Sequence, residues 1–213
     1  MSEASMQSAP SQPAPSQPAP SRAEPAPAAE RRHDSPYGAR EKVARLLWGA
    51  VQATLFRLSF HNFYGWRRFL LRSFGATIDD SVHVMRTAKV TCPWNLAMGR
   101  NSCLGEGSHA YCLGPVTIGD RVSISQNVHL CAGTHDYTQP DMPLLRPPIT
   151  VKDDAWLAAD AFVGPNVTVG EGAILGARGC AFADLEPWTI YGGNPAIAIK
   201  PRAYRVGADG VAT

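Results

Sequence analysis

The chain has 213 residues, 45% of them hydrophobic and 18% charged, with a formal net charge of +2. That length allows one or two domains with a sizeable core, and so small a net charge argues against a nucleic-acid binder driven by bulk charge. No run of about 18 uncharged apolar residues occurs, which excludes a spanning helix, and the N-terminus lacks the apolar centre of a secretory signal.

Residues 1–35 contain seven Pro, eight Ala, seven Ser and three Gln, with a direct repeat between Ser11 and Ser21. Such a segment cannot bury enough apolar surface to offset its ordering entropy. It reads as a disordered tail of polyproline character, either a solubilising or spacing tail or a docking site for a partner that nothing in the sequence identifies.

Residues 36–75 change character. Arg40, Lys42, Arg45, Arg57, Arg67, Arg68 and Arg72 face one acid, Glu41, a balance of +6 in forty residues. Val43, Leu46, Leu47, Ala50, Val51, Thr54, Leu55 and Leu58 recur at three and four, the helical period. A second short helix is expected over Trp66–Phe74, with Asn62 as a cap, Gly65 just before it and Gly75 as its stop. Two compatible roles follow. The helices can close one end of the next domain with their arginines in water, or they can lie on an anionic membrane surface.

From residue 76 to 202 an aliphatic residue recurs every six positions. The series runs Ile78, Val84, Val90, Leu96, slips by two to Met98, Leu104, Ala110, and slips again to Ile118, Ile124, Leu130. After an interruption it resumes as Val151, Leu157, Val163, Val169, Leu175, Ala181. A smaller residue follows four places later, as in Val122, Val128, Ala155, Ala161, Val167 and Ala173. A period of six fits neither an α-helix nor a hairpin meander. It fits a parallel β-helix of triangular section, with three sides of six residues per coil of eighteen, the aliphatics inward and Gly, Asn or Asp at the turns.

The five cysteines (Cys92, Cys103, Cys112, Cys131 and Cys180) are odd in number and form no Cys-x-x-Cys pair. They read as reduced thiols of a cytoplasmic protein, several of them small core residues. The interruption, residues 131–150, must project from the solenoid as a loop, the usual place for a site on a rigid scaffold. His135 stands where the prism ends and this loop begins, well placed for a general base near neutral pH.

The segments Trp66–Arg72, Pro93–Leu96, Val116–Asp120, Ile124–Gln126, Cys131–Asp136, Pro147–Ile149, Trp156, Val163–Pro165 and Ile190–Ala196 resemble the hexapeptide-repeat acyltransferases. Within them the chain looks like the colanic-acid-type and nodulation-type sugar O-acetyltransferases, related to maltose and galactoside acetyltransferases. The resemblance implies a left-handed β-helix and transfer of an acetyl group from acetyl-CoA to a sugar hydroxyl, in exopolysaccharide or lipopolysaccharide synthesis. His135 matches the family base. Asp136 either orients its ring or contacts the acceptor, or is simply a turn residue, and Trp156 matches a tryptophan packed beside the site. The amides of Ala159 and Ala177 match contacts to the thioester and the pantetheine arm. Where much of the family carries a Thr-Lys pair against the cofactor, this chain has Phe182 and Ala183; Arg178, Lys200 or Arg202 would then supply the phosphate charge. Tyr137 and Arg146 are candidate acceptor contacts. Related enzymes are homotrimers with the cofactor between neighbouring prisms, and their acceptors fit an enzyme at the inner face of the membrane. No metal is expected. Two other readings remain open: a zinc enzyme of the carbonic-anhydrase kind on the same prism, for which His83, His109, His129 and His135 could be offered, and a non-catalytic scaffold.

Overall fold

A computed structural model describes residues 36–203. The tail expected at 1–35, and all but the first residue of the C-terminal tail expected at 203–213, lie outside them. The repeat region winds into a three-sided parallel β-helix. Face 1 stacks Thr77–Ile78, Leu96–Met98, Val116–Ile118, Ile149–Val151 and Thr168–Val169. Face 2 stacks His83–Val84, Cys103–Leu104, Ser123–Ile124, Trp156–Leu157 and Ile174–Leu175, then Thr189–Gly192 and an antiparallel last strand, Ile197–Pro201. Face 3 stacks Lys89–Val90, His109–Tyr111, His129–Cys131, Phe162–Val163 and Cys180–Ala181.

Every aliphatic of the six-residue series is buried, from Ile78 to Ala181. The small residues four places on fill the corners, with Val122, Val128, Ala155, Ala161 and Ala173 almost wholly inaccessible. The coil of eighteen holds only in the later coils, where Val151 pairs with Val169. In the early coils the repeat is twenty: Ile78 pairs with Met98, and Met98 with Ile118. The two extra residues lie each time between face 3 and face 1, which accounts for the phase slips. The same corner sheds the long loop, since Ile118 next pairs with Val151.

Tight corners need left-handed backbone. Asn101, Asn127, Asp154, Asp160 and Asn166 all have φ between 55° and 62°, a region that Asn and Asp tolerate better than most residues. Gly119 is required for a different reason. A Cβ there would collide with the Asp153 carboxylate and the backbone at Lys152–Asp153, which sit one coil further on, and the Asp153 carboxylate accepts a hydrogen bond from the Asp120 amide at 2.9 Å.

Two helices close the N-terminal end. α1 (Ala39–Val51) runs on into a wider π-helical turn, Gln52–Phe56, and α2 spans Tyr64–Ser73. α2 starts earlier than expected: Phe63 holds the cap position without a side-chain bond, so Asn62 is not the cap and Gly65 lies inside the helix. Gly75, at φ +91°, ends it as read from the sequence. Trp48, Phe56, Leu70 and Leu71 are buried against the first coil.

An unpaired strand edge is a row of unsatisfied donors and acceptors, and the helices satisfy it with side chains. Trp48 Nε1 donates to Val90 O at 2.6 Å, and Gln52 Oε1, one helical turn on, accepts from Val90 N at 2.7 Å. Arg67 Nε donates to Val84 O (2.6 Å), Arg68 Nη1 to Val82 O (2.8 Å) and Arg72 Nε to Ile78 O (2.9 Å). The expectation that a capping helix pair would turn its arginines to water is therefore corrected for buried Arg67 and half-buried Arg68, whose guanidinium donors meet the carbonyls of the open coil; Arg72 meets one too but stays exposed, paired with Asp80 at 2.8 Å.

Candidate active site

The projecting loop leaves face 3 after Cys131 as a short antiparallel hairpin, Thr134–His135 against Leu144–Leu145. His135 is solvent-exposed on its first strand, and its Nδ1 lies 2.6 Å from Met142 O. A carbonyl can only accept, so Nδ1 carries a proton, and in the neutral ring the lone pair then lies on Nε2. Met142 presents that carbonyl from φ +44°, an uncommon conformation for a non-glycine residue. This partner left no mark in the sequence, because it is a backbone atom seven positions away.

Asp136 does not touch the imidazole. Its Oδ1 accepts from the Thr138 amide (3.0 Å) and hydroxyl (2.5 Å), and its Oδ2 from Gln139 Nε2 (2.7 Å). These bonds, the Thr138 hydroxyl foremost, hold the carboxylate below the usual range. The same bonds tie the carboxylate into the turn that follows it. Tyr137 projects beside it, 85% exposed. Arg146 lies at the foot of the loop, with Nη1 3.2 Å from Glu41 Oε2, Nη2 3.2 Å from Pro36 O and the guanidinium over the Tyr37 ring at 5.1 Å. It ties the loop to the start of α1.

A second cluster forms on face 2 and the corner leading to face 3. Ser125, Gln126, Trp156, Ala159, Ala177 and Ile190 are among the residues lining an open groove of about 490 Å³. Trp156 is half-exposed, with Nε1 donating to Ser125 Oγ at 3.0 Å. Among the described residues neither the Ala159 nor the Ala177 amide has a protein acceptor. Arg178 sits at the rim with φ +57°, its Nε 3.8 Å from Asp160 Oδ2. Lys200 is exposed on the last strand, opposite Ile190. Arg202 is engaged at another corner: its Nη1 donates to Asp154 O (2.7 Å) and Gly172 O (2.8 Å), and it lies 5.7 Å from the Trp188 ring.

The structure thus brings Trp156, Ala159 and Ala177 together and sets His135 on a different edge. The groove borders one end of face 3 and the loop springs from the other. His135 is not among the residues that line the groove. Between the two edges runs an aromatic ladder on the outside of face 3. His109 and His129 stack at 4.9 Å and 15°, and Phe162 meets His129 edge-on at 5.6 Å, with Phe182 beyond. Burial, with His129 and Lys89 nearby, pushes His109 down to about 4, and burial also lowers His129. Both rings are neutral at physiological pH. Among the described residues no three His, Cys, Asp or Glu side chains converge as metal ligands. The cysteines are all unpaired, and Cys92 and Cys112 are buried as small core residues.

No family model matches the chain. It is 42% identical over 156 residues to the putative colanic acid biosynthesis acetyltransferase of Escherichia coli K12, covering 73% of this chain and 86% of that one. Among solved structures it superposes on galactoside acetyltransferase in complex with coenzyme A (TM-score 0.73, 23% identity, 79% of this chain and 86% of that one). It likewise superposes on a hexapeptide-repeat acetyltransferase of Vibrio cholerae complexed with acetyl coenzyme A (TM-score 0.71, 21% identity, 83% and 96%). At that identity the two structures establish the shared fold.

Proposed function

The chain belongs to the hexapeptide-repeat acetyltransferases, and from that membership we propose that it transfers an acetyl group from acetyl-CoA to a hydroxyl of a saccharide in polysaccharide synthesis. The observation that carries the reading is the tautomer of His135, fixed by Met142 O so that Nε2 is free to accept a proton. A sugar hydroxyl has a pKa far above 7 and needs such a base as it attacks a thioester. His135 Nε2 takes the hydroxyl proton as the oxygen bonds to the acetyl carbon. The Ala159 amide, free of a protein acceptor, donates to the oxyanion that forms there. The carbon–sulfur bond then breaks, and the imidazolium returns the proton to the departing sulfur. Products are the acetyl ester and the free thiol of coenzyme A.

The groove along Trp156, Ala159 and Ala177 suits the pantetheine arm, and Arg178 and Lys200 at its border suit the phosphates in place of the absent Thr-Lys pair. Arg202, already bonded to two carbonyls, is the weaker phosphate candidate. The acceptor is read at the loop, near Tyr137, with Asp136 and Arg146 holding the loop in shape. The separation of His135 from the groove supports a homotrimer in which one prism supplies the base and its neighbour the groove. We place the enzyme in the cytoplasm at the inner face of the membrane, in contact with it through residues 36–75.

The test is thiol release from acetyl-CoA with a panel of oligosaccharides, together with mass analysis of cell polysaccharide with and without the gene. Release of coenzyme A only when a saccharide is present, and an acetyl group lost from the polysaccharide on deletion, are expected. No release with any hydroxyl acceptor would overturn the reading.

A further inference from the structure

The membrane contact of residues 36–75 can be resolved to a surface: we infer that the outward side of α1 and the α1–α2 turn is a wedge that inserts into an anionic lipid bilayer. A helix of a water-soluble protein normally turns its apolar stripe to the core. Here the stripe is reversed. The inward side is held by Trp48, Phe56 and the hydrogen bonds to the open coil. The periodic aliphatics face solvent, Leu46 being 75% and Leu58 77% exposed. Phe60 is 72% exposed beside them. Leu55, Leu58, Phe60, Phe63 and Trp66 converge on one open groove of about 410 Å³. Apolar exposure of this kind in one place marks an interaction surface.

Charge selects the occupant. Arg40, Lys42 and Arg57 are exposed on the same segment. Its one acid, Glu41, is half-buried between Arg45 and Arg146. The cap therefore presents large apolar side chains beside uncompensated cations, the combination that suits acyl chains beneath anionic headgroups. A second copy would bring like charges together across a self-complementary contact. Residues 1–35 hold Met1 and Met6 as their only large apolar side chains, too little to cover the patch. The inference deepens the membrane contact proposed above, and it rests on acetyl transfer only for its consequence. Adjacent coils lie about 4.8 Å apart, so the groove, on the third to sixth coils, sits roughly 10–25 Å from the first. A lipid-linked saccharide can span that distance.

The experiment is flotation of the full chain with vesicles of phosphatidylcholine alone and of phosphatidylcholine with phosphatidylglycerol. Binding is expected to the second and not the first. The double variant Leu58→Ser/Phe60→Ser is expected to bind at least tenfold more weakly, and Arg57→Gln about fivefold more weakly, with unchanged thermal midpoints showing intact folds. No binding to anionic vesicles, or equal binding by the double variant, would overturn the inference. So would a fall in the assembly's mass on making the double variant, which would mean that another copy occupies the patch. Transfer to a soluble sugar, measured in parallel, is expected to be normal in the double variant. Its absence from the unaltered protein would count against the enzymatic reading alone.

Discussion

Arg67 Nε lies 2.6 Å from Val84 O, joining the centre of α2 to the open first coil. The guanidinium is wholly inaccessible and, among the described residues, has no carboxylate partner. It spends its other donors on Ser59 Oγ (2.9 Å), Phe60 O (2.8 Å) and His61 O (2.7 Å), under the ring of Tyr64 at 4.8 Å. Burial lowers its pKa, yet an arginine remains charged. The cap is thus fastened by one buried cation solvated by backbone carbonyls.

Removing that cation leaves several buried acceptors unpaired. Arg67→Met is expected to cost about 3–5 kcal/mol. In a chain of this size about 3 kcal/mol corresponds to a fall of roughly 6–12 °C in the thermal midpoint, measurable by calorimetry. Arg67→Lys keeps the charge but cannot reach the same acceptors, and its midpoint is expected to lie between the two.

His135→Ala is expected to leave the fold and the KM for acetyl-CoA intact and to lower kcat by about 10²–10⁴. Steady-state kinetics with acetyl-CoA varied at saturating acceptor checks both. Turnover near that of the unaltered enzyme would rule out the base assignment. Asp136→Ala disturbs only the turn and is expected to cost far less.

The face 3 histidines give stability a pH dependence. His109 titrates at about 4 in the fold and near 6.5 when unfolded. Between those values the unfolded chain takes up a proton that the folded chain does not, so stability falls as pH drops through that window. His129, lowered likewise, adds in the same direction. Allowing for screening of a half-exposed ring, the loss from His109 is on the order of 1–2 kcal/mol. Urea midpoints at pH 7 and pH 5 measure it, and His109→Gln should flatten the difference.

Burial raises the Cys92 thiol and pushes Cys112 up to about 12. Cys112 Sγ also lies 3.2 Å from Cys92 O. Neither offers thiolate near neutral pH. Iodoacetamide at pH 8 is expected to spare both in the native protein and to modify them on unfolding, read by peptide mass analysis.

The inward series from Ile78 to Ala181 was legible because burial in a three-sided prism repeats every six residues whatever the surroundings. The loop was legible by the failure of that repeat, and His135 by its place at the break. The reversal of α1 was not. Periodicity marks an apolar side of a helix without saying which way it turns, and the outcome hung on Trp48 and Gln52 finding both polar groups of Val90. For the same reason the capping arginines read as water-facing, although their carbonyl partners lie six to seventeen residues away.

By itself the sequence determined the prism and its break and marked candidate residues for acyl transfer, since those depend on local spacing and side-chain chemistry. Only the tertiary structure decided that His135 Nδ1 meets Met142 O, that Asp136 bonds within its own turn and that the hairpin and the groove lie on different edges. Each of these depends on backbone atoms and distances brought together by folding, and a linear order of side chains does not encode them.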